Sequence, residues 1–122
     1  MRAPRGALLG AAALALAGTG ALATAPADGH YDGTLCVTVA AAPASCGAAE
    51  VGLSADSLAR VRVSDITFQL WLYPSRVSVV VMHGTMQIHE FESAYAWQGP
   101  SLQFADVAKN TRYEVRLGER KP

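Results

Sequence analysis

The feature that most limits the fold is a period-two alternation of apolar and polar side chains in the middle of the chain. Every second residue is large and apolar in two consecutive segments, namely Ile66, Phe68, Leu70 and Leu72 in the first, and Val77, Val79 and Val81 in the second. Because successive side chains of a strand point to opposite faces, this spacing predicts a first strand with one face in a core. The second segment also carries Val80 and Met82 on its other face, so we expect a central strand covered on both faces. Pro74-Ser75 separates the two segments as a turn.

Shorter segments of β-forming residues flank this pair and are separated by turn residues such as Gly84 and Gly99-Pro100. They are 35–39, 61–63, 86–92, 102–105 and 113–117. The Ala-, Pro- and Gly-rich stretch 40–52 predicts a loop, and Ser54 to Arg60 predicts a short helix that leads into a strand. We therefore expect an all-β fold, a small antiparallel sandwich or barrel of about six to eight short strands.

The first 27 residues have the three parts of a secretory leader. Arg2 and Arg5 give a cationic start, an uncharged apolar run follows to Gly18, and small residues continue to Ala27. The alternative is an uncleaved membrane anchor, but a run of mostly Ala, Gly and Thr is poorly apolar for a bilayer helix. We expect a cleaved helical signal peptide over 1–27, one exported domain over 28–122 and no membrane span after cleavage.

Three Ala-x-Ala sites compete for the cleavage. They end at Ala23, Ala25 and Ala27, and the second would leave Pro26 directly after the cut. Since signal peptidases tolerate proline poorly there, we expect cleavage after Ala27, with Ala23 as the alternative.

Cleavage after Ala27 would expose the tripeptide Asp28-Gly29-His30 at the amino terminus. The terminal amine, the next two amide nitrogens and the imidazole can lie in one plane, the arrangement that Cu(II) and Ni(II) prefer. A conditional copper or nickel site at Asp28, Gly29 and His30 is therefore a hypothesis. The competing interpretation is a histidine in third place by chance.

The two cysteines, Cys36 and Cys46, would both enter an oxidising compartment. A disulfide is the expected state there, and two buried free thiols are the alternative. On the chain-entropy model, so short a closed loop stabilises the fold by about 2 to 3 kcal/mol.

The charge and composition of the chain limit the classes of partner that it is expected to bind. The chain has ten basic residues, of which Arg2 and Arg5 leave with the leader, against ten acidic ones. The remaining excess of acid gives no basic stripe for phosphates, so no nucleic-acid partner is expected. Asn110, the single asparagine, is in no glycosylation sequon, which favours a bacterial periplasm over a eukaryotic secretory route.

No pattern of catalytic residues rises above background. His83, His89, Glu90 and Glu92 lie near one predicted turn, but strict alternation puts His89 on the face opposite Glu90 and Glu92. No serine lies in a Gly-x-Ser-x-Gly motif, and the cysteine spacing is not that of a redox site. We expect a protein that is not an enzyme and needs no cofactor, the conditional copper aside.

Four aromatic residues remain as a possible binding surface: Trp71, Tyr73, Tyr95 and Trp97. Packing under a second covered face would explain them equally well. The function expected from the sequence is an exported, non-enzymatic β-domain that binds an unknown envelope partner or small ligand, with copper binding as the alternative.

Overall fold

The computed structural model describes residues 25–122, so most of the predicted leader lies outside the described part. These residues form nine strands and one single-turn 3-10 helix, η1 (Val107–Lys109). The strands are β1 (Gly29–Val39), β2 (Ser45–Leu53), β3 (Leu58–Val63), β4 (Ile66–Leu72), β5 (Val77–His83), β6 (Met86–Ser93), β7 (Tyr95–Gln98), β8 (Ser101–Asp106) and β9 (Thr111–Arg120).

All strand pairs are antiparallel, in the order β6-β5-β4-β3-β2-β1-β9-β8-β7. The first and last strands of this order, β6 and β7, are separated along the chain by Ala94 alone. The sheet therefore curls round on itself into a nearly closed barrel. The all-β prediction is confirmed, with slightly more strands than expected.

The barrel closes where the consecutive strands β6 and β7 meet β8, a junction that we call the seam. Strand pairing covers only part of its height. The ladder between β7 and β8 runs from Gln98 paired with Ser101 to Tyr95 paired with Phe104. At the next step the Ala105 N–H donates to the hydroxyl of Ser93 at 3.2 Å. Beyond this point β6 keeps strand pairing with β5 alone.

Alternate side chains of the strands fill the interior. The predicted inward faces of β4 and β5 are confirmed, because Phe68, Leu70, Val77, Val79 and Val81 are all buried. Burying one Val or Leu side chain contributes about 1.5 to 3 kcal/mol. The interior of the barrel is thus a packed core, whereas the opposite face of β5, with Val80 and Met82, is only half-buried, so the expected covering of both faces of this strand is wrong.

Two further local predictions are wrong. The segment 54–60 contains a turn and the start of β3 instead of a helix: the Ser54 hydroxyl bonds Asp56 and the Leu58 carbonyl, and Ser57 has a φ of 65°, which right-handed helices exclude. The stretch 40–52 contains most of β2, whose small side chains pair along β1. Hydrogen bonding to β1 thus stabilises a strand that the composition of 40–52 alone does not favour.

Ile88 forms a β-bulge in β6 that sequence alternation did not predict. Val81 pairs with His89, and Met82 pairs with Gln87, so Ile88 is the extra residue. Because of this insertion Gln87 and His89 face opposite sides, with His89 turned inward beside Val81.

The hairpin turns define two ends. The upper end carries turns 54–57, 73–76 and 99–100 together with both ends of the described chain. The lower end carries turns 40–44, 64–65 and 84–85 and the η1 connection.

Candidate functional site

A pocket of about 320 Å³ opens at the upper end of the barrel. Its lining comes from β2, β3, β4, β7 and the first described residues. The apolar lining residues are Leu53, Ala55, Leu58, Leu72, Tyr95 and Trp97 with Ala25 and Pro26, and the polar ones are Asp28, Ser54 and Ser57. Tyr95 and Trp97 reach it because alternate residues of the short strand β7 face inward at the barrel rim. Apolar walls with aromatic rings are typical of small-ligand pockets in barrel mouths.

The amino-terminal segment Ala25–Asp28 forms one wall of this upper-end pocket. The Tyr31 hydroxyl donates to the Ala27 carbonyl at 2.5 Å, and the Arg120 guanidinium donates to the Asp28 carbonyl. The predicted cleavage after Ala27 falls within this wall, so the position of the cut determines the shape of the pocket.

The four aromatic residues singled out in the sequence do not share one surface. Tyr95 and Trp97 pack against the core at the upper end, whereas Trp71 alternates with buried Leu70 and lies on the outer wall. Tyr73 is half exposed, and its carbonyl accepts the Tyr95 hydroxyl proton at 2.7 Å. Of the predicted set, the structure therefore brings together Tyr95 and Trp97.

The predicted disulfide is formed. Cys36 in β1 lies directly opposite Cys46 in β2, and their sulfurs are bonded. The bridge closes the hairpin whose turn is at the lower end. Arg116 donates from its guanidinium to the Cys36 sulfur at 3.8 Å.

The conditional copper tripeptide lies where the chain enters the barrel. Gly29 pairs with Leu53 and His30 with Gly52, and the Lys121 N–H donates to the His30 carbonyl at 2.7 Å. A four-nitrogen chelate would have to turn the amides of Gly29 and His30 toward the metal. Copper binding there would compete with this strand pairing, and it stays a prediction.

A hydrogen bond between a half-buried histidine and a buried carboxyl group lies at the lower end. His89 Nε2 is 2.7 Å from an Asp106 carboxylate oxygen, and the Asp106 side chain is only 4% exposed. The ring of Phe91 lies 5.8 Å from that of Tyr113 and 6.2 Å from that of Phe104. Burial raises the pKa of Tyr113, and the nearby charge of Asp106 raises it further. Sequence analysis did not predict this pair, because its members lie in different strands and come together only where β6 meets β8.

The remaining polar residues of the predicted turn cluster each have a separate partner. His83 lies 2.6 Å from Asp65 in the neighbouring turn, and this hydrogen bond lowers the pKa of the exposed Asp65 carboxyl. Glu92 faces Arg76 at 3.5 Å, and Glu90 accepts a hydrogen bond from Gln87. Within residues 25–122, no three His, Cys, Asp or Glu side chains come together as metal ligands.

Fold and site together define a small antiparallel β-barrel domain with a pocket of mixed apolar and polar lining at one end. The chain matches no protein-family model, and neither curated proteins nor solved structures give a match. Across residues 25–122 there is no helix long and apolar enough to cross a membrane.

Proposed function

We propose that this protein is an exported, non-enzymatic β-barrel domain that binds a small apolar ligand in its upper-end pocket. The observation that carries the proposal is the lining of that pocket by Tyr95, Trp97 and three leucines. A volume of about 320 Å³ is at the small end of the range for ligand pockets, which favours a compact ligand. The polar groups at its rim, such as Ser54 and Ser57, would orient that ligand.

Two depressions on the outer wall support this choice by contrast. One runs over Arg60, Arg62 and Gln69, and the other passes the disulfide between Arg112 and Arg116. Both lie on the outer wall and carry arginine side chains, although alanines also line the second. The upper-end pocket differs from them in its place at the barrel mouth, where Trp97 and Leu72 face inward.

Export rests on the three-part leader and is compatible with the disulfide, since such bonds persist in oxidising compartments. We place the mature protein in the periplasm or outside the cell.

The test is a titration with the neutral fluorescent probe N-phenyl-1-naphthylamine. Trp97→Ala should weaken probe binding about tenfold, because it removes an aromatic wall worth on the order of 1 kcal/mol or more. Trp71→Ala is the matched control and should leave binding unchanged, since Trp71 lies on the outer wall. Equal binding by both variants, or no binding by the unmodified protein, would contradict the proposal.

A second pair of proteins tests the role of the amino-terminal wall. One begins at Thr24 and retains residues 25–27, and the other begins at Asp28 and lacks them. We expect the shorter protein to accept bulkier naphthyl probes, because Ala25 and Pro26 no longer line the pocket. Intact mass of the exported protein then decides which of the two forms exists in the cell.

A further inference from the structure

The disulfide lies at an open corner of the barrel wall. On one side Cys46 is bridged to Cys36 of β1, and on the other side β3 pairs with β2 only from Glu50 to Leu53. Cys46 is four residues before Glu50, which is about 13 Å along the strand. Within residues 25–122, no strand therefore pairs with β2 beside Cys46 on the side away from β1.

The exposure of the neighbouring residues shows that nothing else in the described chain closes this corner. Residues 45–48 are all exposed, whereas Ala49, the next residue along β2, is buried. A Cβ atom added at Gly47 would have no atom of a non-adjacent residue within 4 Å. A reagent in solution can therefore approach the Cys46 sulfur from the side away from β1.

The two sulfurs of the bridge have different surroundings. Cys46 is exposed, whereas Cys36 is only 4% exposed, and the Cys36 sulfur lies 3.8 Å from the Arg116 Nη2 atom. β9 brings Arg116 there because Glu114 pairs directly with Cys36, and Arg116 follows two residues later on the same face. A guanidinium group stabilises negative charge on a neighbouring sulfur. Cys46 is thus the sulfur open to attack, and Cys36 is the better leaving group.

The charged side chains near Cys36 are Arg112, Glu114 and Arg116 of β9, which line the same outer depression. The Glu114 carboxylate lies 3.4 Å from the Arg116 guanidinium. A hydrogen bond from the Ser101 hydroxyl, with the Arg116 charge, holds the pKa of Glu114 below its usual range, so Glu114 is ionised at neutral pH and offsets part of the Arg116 charge. Arg112 pairs with the residue two positions beyond Cys36 in β1.

We propose that the Cys36–Cys46 bridge is a thiol-exchange site for a low-molecular-weight thiol. The thiolate attacks the Cys46 sulfur and forms a new S–S bond there, while the original S–S bond breaks and its electron pair leaves on Cys36 as a thiolate beside Arg116. One disulfide replaces another, so no further oxidant or reductant is needed. Attack by the Cys36 thiolate on the mixed disulfide reverses the step. The reaction is a modification of the protein and not a catalytic turnover.

The size of the surrounding side chains favours a small thiol over a protein thiol. Ser45, Gly47 and Ala48 next to Cys46 are all small. A protein partner needs an interface of roughly 800 Å² on its side, which this narrow corner does not offer.

The experiment uses the exported, oxidised protein and 2-mercaptoethanol at neutral pH. Samples are quenched in acid, which protonates thiolates and stops the exchange. Tandem mass spectrometry of peptic fragments then locates the adduct. We expect the mixed disulfide on Cys46 and the thiol on Cys36. In concentrated urea the open corner and the Arg116 contact are lost, so the adduct should be divided about evenly between the two cysteines.

Charge variants test the role of Arg116. Arg116→Gln removes the cation beside the leaving sulfur and should slow adduct formation about three- to tenfold. Arg112→Gln is the matched control, because it removes the same charge from the same face of β9 but further from Cys36, and it should change the rate by less than about twofold. Glu114→Gln removes the carboxylate beside Arg116 and should raise the rate.

The position of the adduct keeps the test independent of folding, because exchange through the unfolded chain would lose the preference for Cys46. The proposal is overturned if the folded protein forms no adduct, or if the adduct is on Cys36 or divided evenly between the cysteines. It is also overturned if Arg116→Gln reacts as fast as the unmodified protein, or if Arg112→Gln slows the reaction equally.

Discussion

The two ends of the barrel use inward-facing aromatic residues with opposite results. At the lower end the rings of Phe91, Phe104 and Tyr113 come from three different strands and stack on each other. At the upper end Tyr95 and Trp97 both come from β7, and a pocket remains beside them. In this barrel, rings from three strands fill one end, and rings from a single strand line a pocket at the other.

The two ends also differ in how many large apolar side chains they expose to solvent. The lower end is closed inside but exposes most of the large apolar side chains that reach solvent, namely Val39, Met86, Ile88 and Val107. At the upper end Tyr73 is the corresponding exposed residue within the described chain. The lower end is therefore packed inside and exposes single apolar side chains outside, whereas the upper end has a pocket.

The largest expected effect on stability comes from removing an aromatic ring, and we compare one ring from each end. Phe104→Ala removes a ring that is 5% exposed and stacked on two others, and should lower the free energy of unfolding by about 3 to 5 kcal/mol. Trp97→Ala should cost clearly less, because one side of that ring faces the pocket. Urea denaturation of both variants makes the measurement. A greater loss for Trp97→Ala would show that the upper end is core and not a pocket.

Next in size is the disulfide of the lower-end hairpin. Replacing Cys36 and Cys46 together by alanine should lower the free energy of unfolding by about 2 to 3 kcal/mol, because the unfolded chain regains the freedom of the closed loop. A reductant should lower the Tm of the unmodified protein and leave that of the double variant unchanged. If the reductant lowers both equally, the bridge is not the source of the effect.

The two histidine–aspartate pairs of the lower end allow the stability effect of a more buried pair to be compared with that of an exposed pair. His89→Ala leaves the buried Asp106 carboxylate without its partner and should destabilise the domain by about 1 to 3 kcal/mol. His83→Ala breaks an exposed pair with Asp65 and should change stability by less than about 1 kcal/mol. Thermal unfolding at neutral pH compares them, and equal losses would contradict the assignment of the His89 pair to the core.

The smallest effect concerns alkaline pH at the lower end. The pKa of Tyr113 is raised in the folded state, chiefly by burial and secondly by Asp106. The folded state therefore holds the phenolic proton more tightly than the unfolded chain, so stability should be constant below about pH 10 and fall as pH rises from there toward the folded pKa. Asp106→Asn should lower the pKa of Tyr113 only part of the way, measured by absorbance of the tyrosinate. Full return to the ordinary value would contradict burial as the main cause.

The sequence by itself determined the fold class, the inward faces of β4 and β5, and the disulfide. These follow from the sequence because period-two alternation needs only the strand's own geometry, and because the two cysteines of an exported chain have only each other to pair with in an oxidising compartment. The Cys36–Cys46 pair and the valines of β5 were predicted on that basis alone. The leader and the copper tripeptide are likewise sequence predictions, and most of the leader lies outside the described residues.

Only the tertiary structure decided how the strands meet. Whether 45–53 is a strand depended on β1 as a pairing partner, and the inward turn of His89 depended on a bulge that composition does not encode. The contact between His89 and Asp106 arises where β6 and β8 meet through side chains and not through a backbone ladder. The physical reason is that register and closure are set by contacts between distant segments, whereas alternation is read within each segment alone.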